Sequence, residues 1–177
     1  NEKASEGIQI NDPQYNTSIT IKPKFRLGSP VKDQNRLVYP MLGKDAAKIL
    51  TVKAGSIKED IILEKYYADS MRFEYELQLP ESLEARLESD SSLGIYGPDN
   101  SVLMGNVSTG SDADAQLLEK ARKNAKKDKL VFRMPAPYIK ETGNRTVVRS
   151  AKFELQGKSL TLVAEQLKDL KYPISID

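Results

Sequence analysis

The chain of 177 residues has no histidine, no cysteine and no tryptophan. Without histidine, Ser-His and Cys-His nucleophile pairs, imidazole acid–base schemes and His-ligated zinc are all excluded. Without cysteine there is no disulfide, no thiolate nucleophile and no iron–sulfur ligation. The missing disulfide assigns no compartment, because a domain with its own core needs none. Net charge is nearly absent too: 27 Lys and Arg face 25 Asp and Glu, a formal +2. That balance argues against a nucleic-acid partner held by phosphate neutralisation. No apolar run approaches the roughly 20 residues of a membrane-spanning helix, so membrane insertion is not expected. No signal-peptide pattern opens the chain. It starts at Asn1 and stops on a strand-like segment, Tyr172 to Asp177, which reads as a piece cut from a longer protein.

What is present suits a folded domain. Hydrophobic residues make up 39% of the chain, and a domain of this size buries roughly 70% of its unfolded surface. The expected organisation is a single β-rich domain over residues 7–177, with residues 1–6 frayed. The dominant pattern is alternation at the strand period. Met71, Phe73, Tyr75, Leu77 and Leu79 alternate with Arg72, Glu74, Glu76 and Gln78, which predicts one apolar and one wet sheet face. Further strands are expected over Thr17–Phe25, Ile49–Val52, Ser56–Leu63, Leu83–Leu87 and Leu93–Tyr96. Ser101–Met104 is read as the returning arm of a hairpin across Gly97-Pro98-Asp99-Asn100. Leu130–Met134, Thr146–Leu155, Ser159–Val163 and Tyr172–Ile176 complete the set, with a hairpin turn at Gly157-Lys158.

One segment breaks the pattern. Residues 111–127 read as a helix. Ser111 is its cap, and Asp112 and Asp114 lie in its first turn. Lys123, Lys126 and Lys127 lie in its last. Ala113, Leu117, Ala121 and Ala125 form a thin apolar stripe beside Leu118, so the helix is expected on the surface of a β core, inserted between two strands. A short helical turn is expected over Glu165–Leu170. The fold class is therefore mainly β: an antiparallel, β-sandwich-like domain with one inserted surface α-helix.

The candidates for chemistry are thin. Glu74 and Glu76 share a strand face about 6.6–7 Å apart, a permissive spacing for a glycosidase pair and equally the polar face of a half-buried strand. Ser29-Pro30-Val31-Lys32 fits a Ser-x-x-Lys pattern but lacks its companion motifs and sits in a loop. Gly94 and Gly97 make no phosphate loop. Asp99-Asn100 and Asp112/Asp114 match no calcium-loop spacing and read as a turn and a cap. The cations from Lys120 to Lys129 read as a solvated helix end. Tyr66-Tyr67 is the one adjacent aromatic pair for a sugar platform. Asn16, Asn106 and Asn144 stand in glycosylation sequons. A Lys-Asn or Lys-Asp isopeptide cross-link suits such a domain but has no location in the sequence. No residue is assigned as catalytic, cofactor-binding or metal-ligating.

Ser56–Leu63 with Phe73–Leu77, Phe132–Tyr138 and Leu160–Asp177, in that order, resemble a module of large bacterial secreted and cell-surface proteins that lies upstream of DNRLRE-type domains or YD-repeat (RHS-type) regions. Ser56-Ile57-Lys58-Glu59-Asp60-Ile61-Ile62-Leu63 is similar to its "G-x-K-E-D-I-V-L", followed by the alternating Phe73-Glu74-Tyr75-Glu76-Leu77. Phe132-Arg133-Met134-Pro135-Ala136-Pro137-Tyr138 is similar to "F-x-I-P-A-P-x". Leu160-Thr161-Leu162, Leu167 and Tyr172-Pro173-Ile174-Ser175-Ile176-Asp177 resemble "L-T-L … W-L … Y-P-V-T-I-D". The helical segment is longer than the family's usual link, and Leu167 stands where Trp-Leu is common. Pro135 and Pro137 suit a strand leaving a sheet. Lys58, Glu59 and Asp60 read as an ion-paired patch guarding a sheet edge.

The resemblance implies an extracellular or cell-surface location and no assigned reaction. The function expected is a non-catalytic structural or interaction module: a spacer, an assembly element or an adhesion-related domain. Its partners would be neighbouring domains of the same chain, and a surface glycan or another surface protein. The alternatives are a carbohydrate- or cell-wall-binding module and, behind it, a carboxylate-based hydrolase.

Overall fold

The alternation from Met71 to Leu79 becomes the central strand of a sheet, with Phe73, Tyr75 and Leu77 buried and Arg72 and Glu74 exposed. The computed structural model describes residues 7–41, 43, 45–141 and 147–177. In chain order the strands before the helices are β1 (Ile8–Asp12), β2 (Thr17–Pro23), β3 (Val31–Asp33), β4 (Arg36–Met41), β5 (Ala46–Lys53), β6 (Ser56–Leu63), β7 (Ser70–Gln78), β8 (Glu84–Leu87) and β9 (Leu93–Gly97). Two helices follow, α1 (Ser101–Met104) and α2 (Asp112–Asn124). The chain continues through β10 (Lys129–Met134), β11 (Tyr138–Glu141), β12 (Val147–Ser150), β13 (Lys152–Gln156), β14 (Ser159–Glu165) and β15 (Ile174–Ile176). Strand accounts for 51% and helix for 10%, so the molecule is mainly β and sandwich-like.

Three antiparallel sheets form. Their orders are β1-β2-β7-β14-β13, β12-β11-β15-β6-β5-β4-β3 and β10-β9-β8. The five- and seven-stranded sheets share the main core, which includes Ile61, Leu63, Phe73, Leu77, Ile139, Leu160, Ile174 and Ile176. A smaller core of Ile19, Leu83, Ile95 and Met104 seats the three-stranded sheet against β2. Among the described residues no helix is long and apolar enough to cross a membrane.

Several expectations change. Ser101–Met104 is a helix, not a hairpin arm, because the Asn100 side chain accepts from the amides of Val102 and Leu103 and caps it. Thr146–Leu155 is not one strand. β12 pairs with β11 and β13 with β14, so the chain passes from the seven- to the five-stranded sheet at buried Ala151. The Ala151 amide donates to the Pro137 carbonyl there. No helical turn covers Glu165–Leu170: Gln166 takes φ 58°, a left-handed conformation that ends regular structure. Strands β1, β3, β4 and β11 were not expected, and β5 runs well beyond Ile49–Val52. The frayed start expected for residues 1–6 lies outside the described residues.

Helix α2 is capped by Ser111 as expected and lies in the connection between β9 and β10. Its contact face differs, however. Ala115, Leu118, Arg122 and Ala125 are half-buried, while Ala113, Leu117 and Ala121 face water. Leu117 is 66% exposed. Arg122 turns the helix: its guanidinium donates to the carbonyls of Leu103 (3.0 Å) and Gly105 at the end of α1.

The two leucine classes give a direct test. Leu77→Ala, at a fully buried site, is expected to cost about 2–5 kcal/mol in urea unfolding. Leu117→Ala is expected to stay within about 0.5 kcal/mol. Equal losses would contradict the packing described.

Candidate functional site

Strand β6 carries Lys58, Glu59 and Asp60 in succession, and the strand period sends them to opposite faces of the seven-stranded sheet. The strand is interior, paired with β15 on one side and β5 on the other. The charges therefore do not guard an edge, as the sequence suggested; they build two polar clusters, one on each face.

On the outer face, Lys58 Nζ lies 2.6 Å from Asp60 Oδ1 and 2.7 Å from Asp177 Oδ2. Ser175 Oγ donates to Asp60 Oδ1 at 3.1 Å, and the Tyr138 hydroxyl donates to Asp177 Oδ2. Lys140 Nζ donates to the Tyr138 oxygen at 3.2 Å and lies 4.4 Å from that ring's centroid. Strand pairing assembles the cluster: β15 lies between β6 and β11. Tyr138 and Asp177 also exchange both backbone hydrogen bonds. The three stretches singled out in the sequence, around Lys58, Tyr138 and Asp177, thus meet at one place. Burial alone would lower the Lys58 pKa. Hydrogen bonds to Asp177 and Asp60, with their charges, outweigh it and raise the pKa above 10.5. Burial, then donation to Asp177, raises Tyr138 above 10.0.

On the inner face, Lys48 of β5 is only 1% exposed, and its Nζ lies 2.7 Å from Glu59 Oε2. The Tyr75 hydroxyl, from the opposing sheet, donates to Glu59 Oε1. Lys48 Nζ also lies 4.9 Å from the Tyr75 ring centroid and 5.8 Å from that of Phe25. Phe25 packs edge-on against both Phe73 and Tyr75. Burial first, then the Glu59 charge and hydrogen bond, holds the Tyr75 pKa well above 10.0, so the hydroxyl remains a donor.

A shallow cleft of about 180 Å³ lies on the three-stranded sheet, lined by Glu88, Ser89, Asp90, Gly94, Tyr96 and Arg133 among others. Its groups are engaged with each other. Tyr96 donates to Glu88 at 2.8 Å and Arg133 pairs with Asp90. Hydrogen bonds from the Ser92 hydroxyl and amide, then Arg133, hold the Asp90 pKa below 3.8. The Tyr96 ring is stacked by Arg86, 5.0 Å away. It also presses on Gly94, where a Cβ would come within 2.5 Å of Cε2.

The remaining sequence candidates are dispersed. Glu74 is exposed, and Glu76 pairs with Lys24 and accepts from Gln78. Ser29 is exposed in a loop and Lys32 lies on the short β3. Tyr66 contacts Tyr172 edge-on, while Tyr67 packs on the core. Of the basic run, Lys127 donates to the Glu81 carbonyl, Lys123 and Lys129 lie 3.7 Å from Glu81 and Asp99 respectively, and Lys126, 86% exposed, pairs with Asp128. Asn16 and Asn106 bond each other through a side chain and backbones. Asn144 lies outside the described residues. Among the described residues no group of three or more acidic side chains is placed to hold a metal. No protein-family model, curated protein or solved structure matches the chain.

The outer cluster predicts an alkaline limb of stability. Lys58 and Tyr138 both have native pKa values above their ordinary 10.5 and 10.0. Their contribution is therefore complete below those values and lost as pH rises through the raised ones. Lys58 is about a third exposed, which places its pairs between surface and buried cases. Lys58→Met is expected to cost about 1–2 kcal/mol at neutral pH and to flatten the alkaline fall in urea midpoints. An unchanged midpoint and an unchanged alkaline limb would refute the network's role.

Proposed function

We propose that this chain is a non-catalytic structural and interaction module of a bacterial secreted or cell-surface protein. It serves as a spacer, assembly element or adhesion-related domain beside other domains of a longer chain. The observation that carries this reading is where the charged side chains are spent. The clusters of β6 tie together strands distant in sequence, and the inner one joins the two large sheets through Glu59 and Tyr75. General-acid carboxylates need a pKa raised toward the working pH. The carboxylates with displaced pKa values here, Glu76, Glu84, Asp90, Asp128 and Glu154, are all displaced downward by hydrogen-bonded partners. A glycan platform needs a row of free aromatic faces; the Tyr96 ring is stacked by Arg86, Tyr67 packs on the core, and Tyr66, 45% exposed, meets Tyr172 edge-on. The three resembling stretches supply the extracellular assignment, and they converge on one strand-pairing cluster.

Two measurements test the reading. Antibodies against the purified chain are expected to label intact cells carrying the full-length gene; label only after lysis overturns the surface location. The purified chain is expected to turn over no member of a glycoside and ester panel. A turnover abolished by Glu74→Gln or Glu76→Gln, with the β-sheet circular dichroism intact, would establish a hydrolase instead.

A further inference from the structure

Lys48 is an unusual core residue. It is 1% exposed, on the inner face of β5, between two sheets of otherwise apolar side chains. Its amine lies 2.7 Å from Glu59 Oε2, yet the contact is not aligned as a hydrogen bond, so Nζ has no hydrogen-bond acceptor. Two aromatic rings, Phe25 and Tyr75, flank the amine. The other carboxylate oxygen is held by the Tyr75 hydroxyl. Lys48 is desolvated outright while the Glu59 side chain stays 26% exposed, so one misaligned contact to a partly hydrated carboxylate offsets little of what the buried ammonium loses. The groups are instead arranged as a nucleophile, an electrophile and a donor to the electrophile's second oxygen.

We propose that Lys48 and Glu59 condense in the folded protein to an intramolecular amide. The step balances without a co-reactant. A proton passes from Nζ to Oε2, leaving a neutral amine beside a neutral acid. Nζ then attacks Cδ, and the developing negative charge gathers on Oε1, where the Tyr75 hydroxyl already donates. The remaining surplus proton on nitrogen moves to Oε2. The Cδ–Oε2 bond breaks and one water leaves. The product is neutral: its carbonyl keeps the Tyr75 hydrogen bond and its N–H faces the aromatic rings, a weak but favourable contact. The burial of Nζ, which penalises the ammonium, favours a product carrying no charge there.

The outer cluster offers a control. Lys58, Asp60 and Asp177 repeat the same functional groups at similar distances, but Lys58 is hydrogen-bonded and its side chain is 36% exposed. A hydrated, well-bonded ammonium is a poor nucleophile, so that cluster remains a salt bridge.

The inference is independent of the proposed function and is tested on the whole chain. The intact mass of the folded and then denatured protein is expected to fall short of the sequence mass by one water. Proteolysis should yield a peptide pair joined through Lys48 and Glu59. Glu59→Gln should lose one ammonia instead, and Lys48→Met should keep its full mass. Tyr75→Phe, which retains the ring, is expected to accumulate the link about a hundredfold more slowly after refolding. A folded wild-type protein that keeps its full sequence mass after prolonged incubation overturns the proposal, whether or not the variants fold. A water loss mapped to Lys58 and Asp177 overturns it equally.

Discussion

Side-chain alternation along β6 is the constraint on which the rest of the structure depends. Three consecutive charged residues cannot share one face of a strand. Glu59 must take the inner face, where its side chain stays 26% exposed, if Lys58 and Asp60 stay outside, and Ile61 and Leu63 hold that register by full burial. The buried charge on that face is Lys48, 1% exposed, and Glu59 is the anion set beside it, since an unpaired buried ammonium would cost several kcal/mol. Lys48 comes from the neighbouring strand, and Tyr75 satisfies the remaining Glu59 oxygen from the opposing sheet. A slip of one residue in β6 would bury Lys58 and Asp60 and expose Ile61 and Leu63 together. The charged triplet therefore specifies register, where an all-apolar strand would tolerate the slip more readily.

The same constraint explains why the outer cluster forms from residues so distant in the chain. Lys58 and Asp60 leave the sheet on its wet side, where only adjacent strands can reach them. β15 is adjacent, and β11 beyond it. The last described residue, Asp177, is held there by backbone bonds to Tyr138 and by the Lys58 amine. The end of the chain is fixed to the sheet through charge as well as through the ladder.

Local pattern made much of this legible. The strict alternation from Met71 to Leu79 has one reading, and β7 follows it. Ser111 with Asp114 marks a helix start, and the Asn-capped turn at Asn100 marks another that was read as a hairpin. The failures are places where the outcome depends on distant partners. Ala151 to Leu155 alternates, whereas Val147-Val148-Arg149-Ser150 breaks the period, and that break says nothing of the partner strands that make Ala151 carry the chain from one sheet to the other. β1 alternates only over the short Ile8-Gln9-Ile10-Asn11 and β4 does not alternate, and both exist because β2 and β5 offer ladders to pair with. The contact face of α2 departs from its apolar stripe because Arg122, a cation within the basic run, docks the helix on α1.

The polar clusters were the least legible feature, and the reason is physical. A sequence displays charges by position, whereas a cluster is defined by register across strands. Lys48 lies in an apolar strand with no local sign of its role. Glu59 looks like one more charge in a charged run. Only the pairing of Leu50 with Glu59 and Lys48 with Ile61 places both side chains on one face as diagonal neighbours. The consequence reaches function. Acid–base chemistry requires a carboxylate with a free face toward substrate, and register here spends Glu59, Asp60 and Asp177 on strand-to-strand contacts. These three acids hold strands together, and the chemistry open to them is with the lysines they already touch.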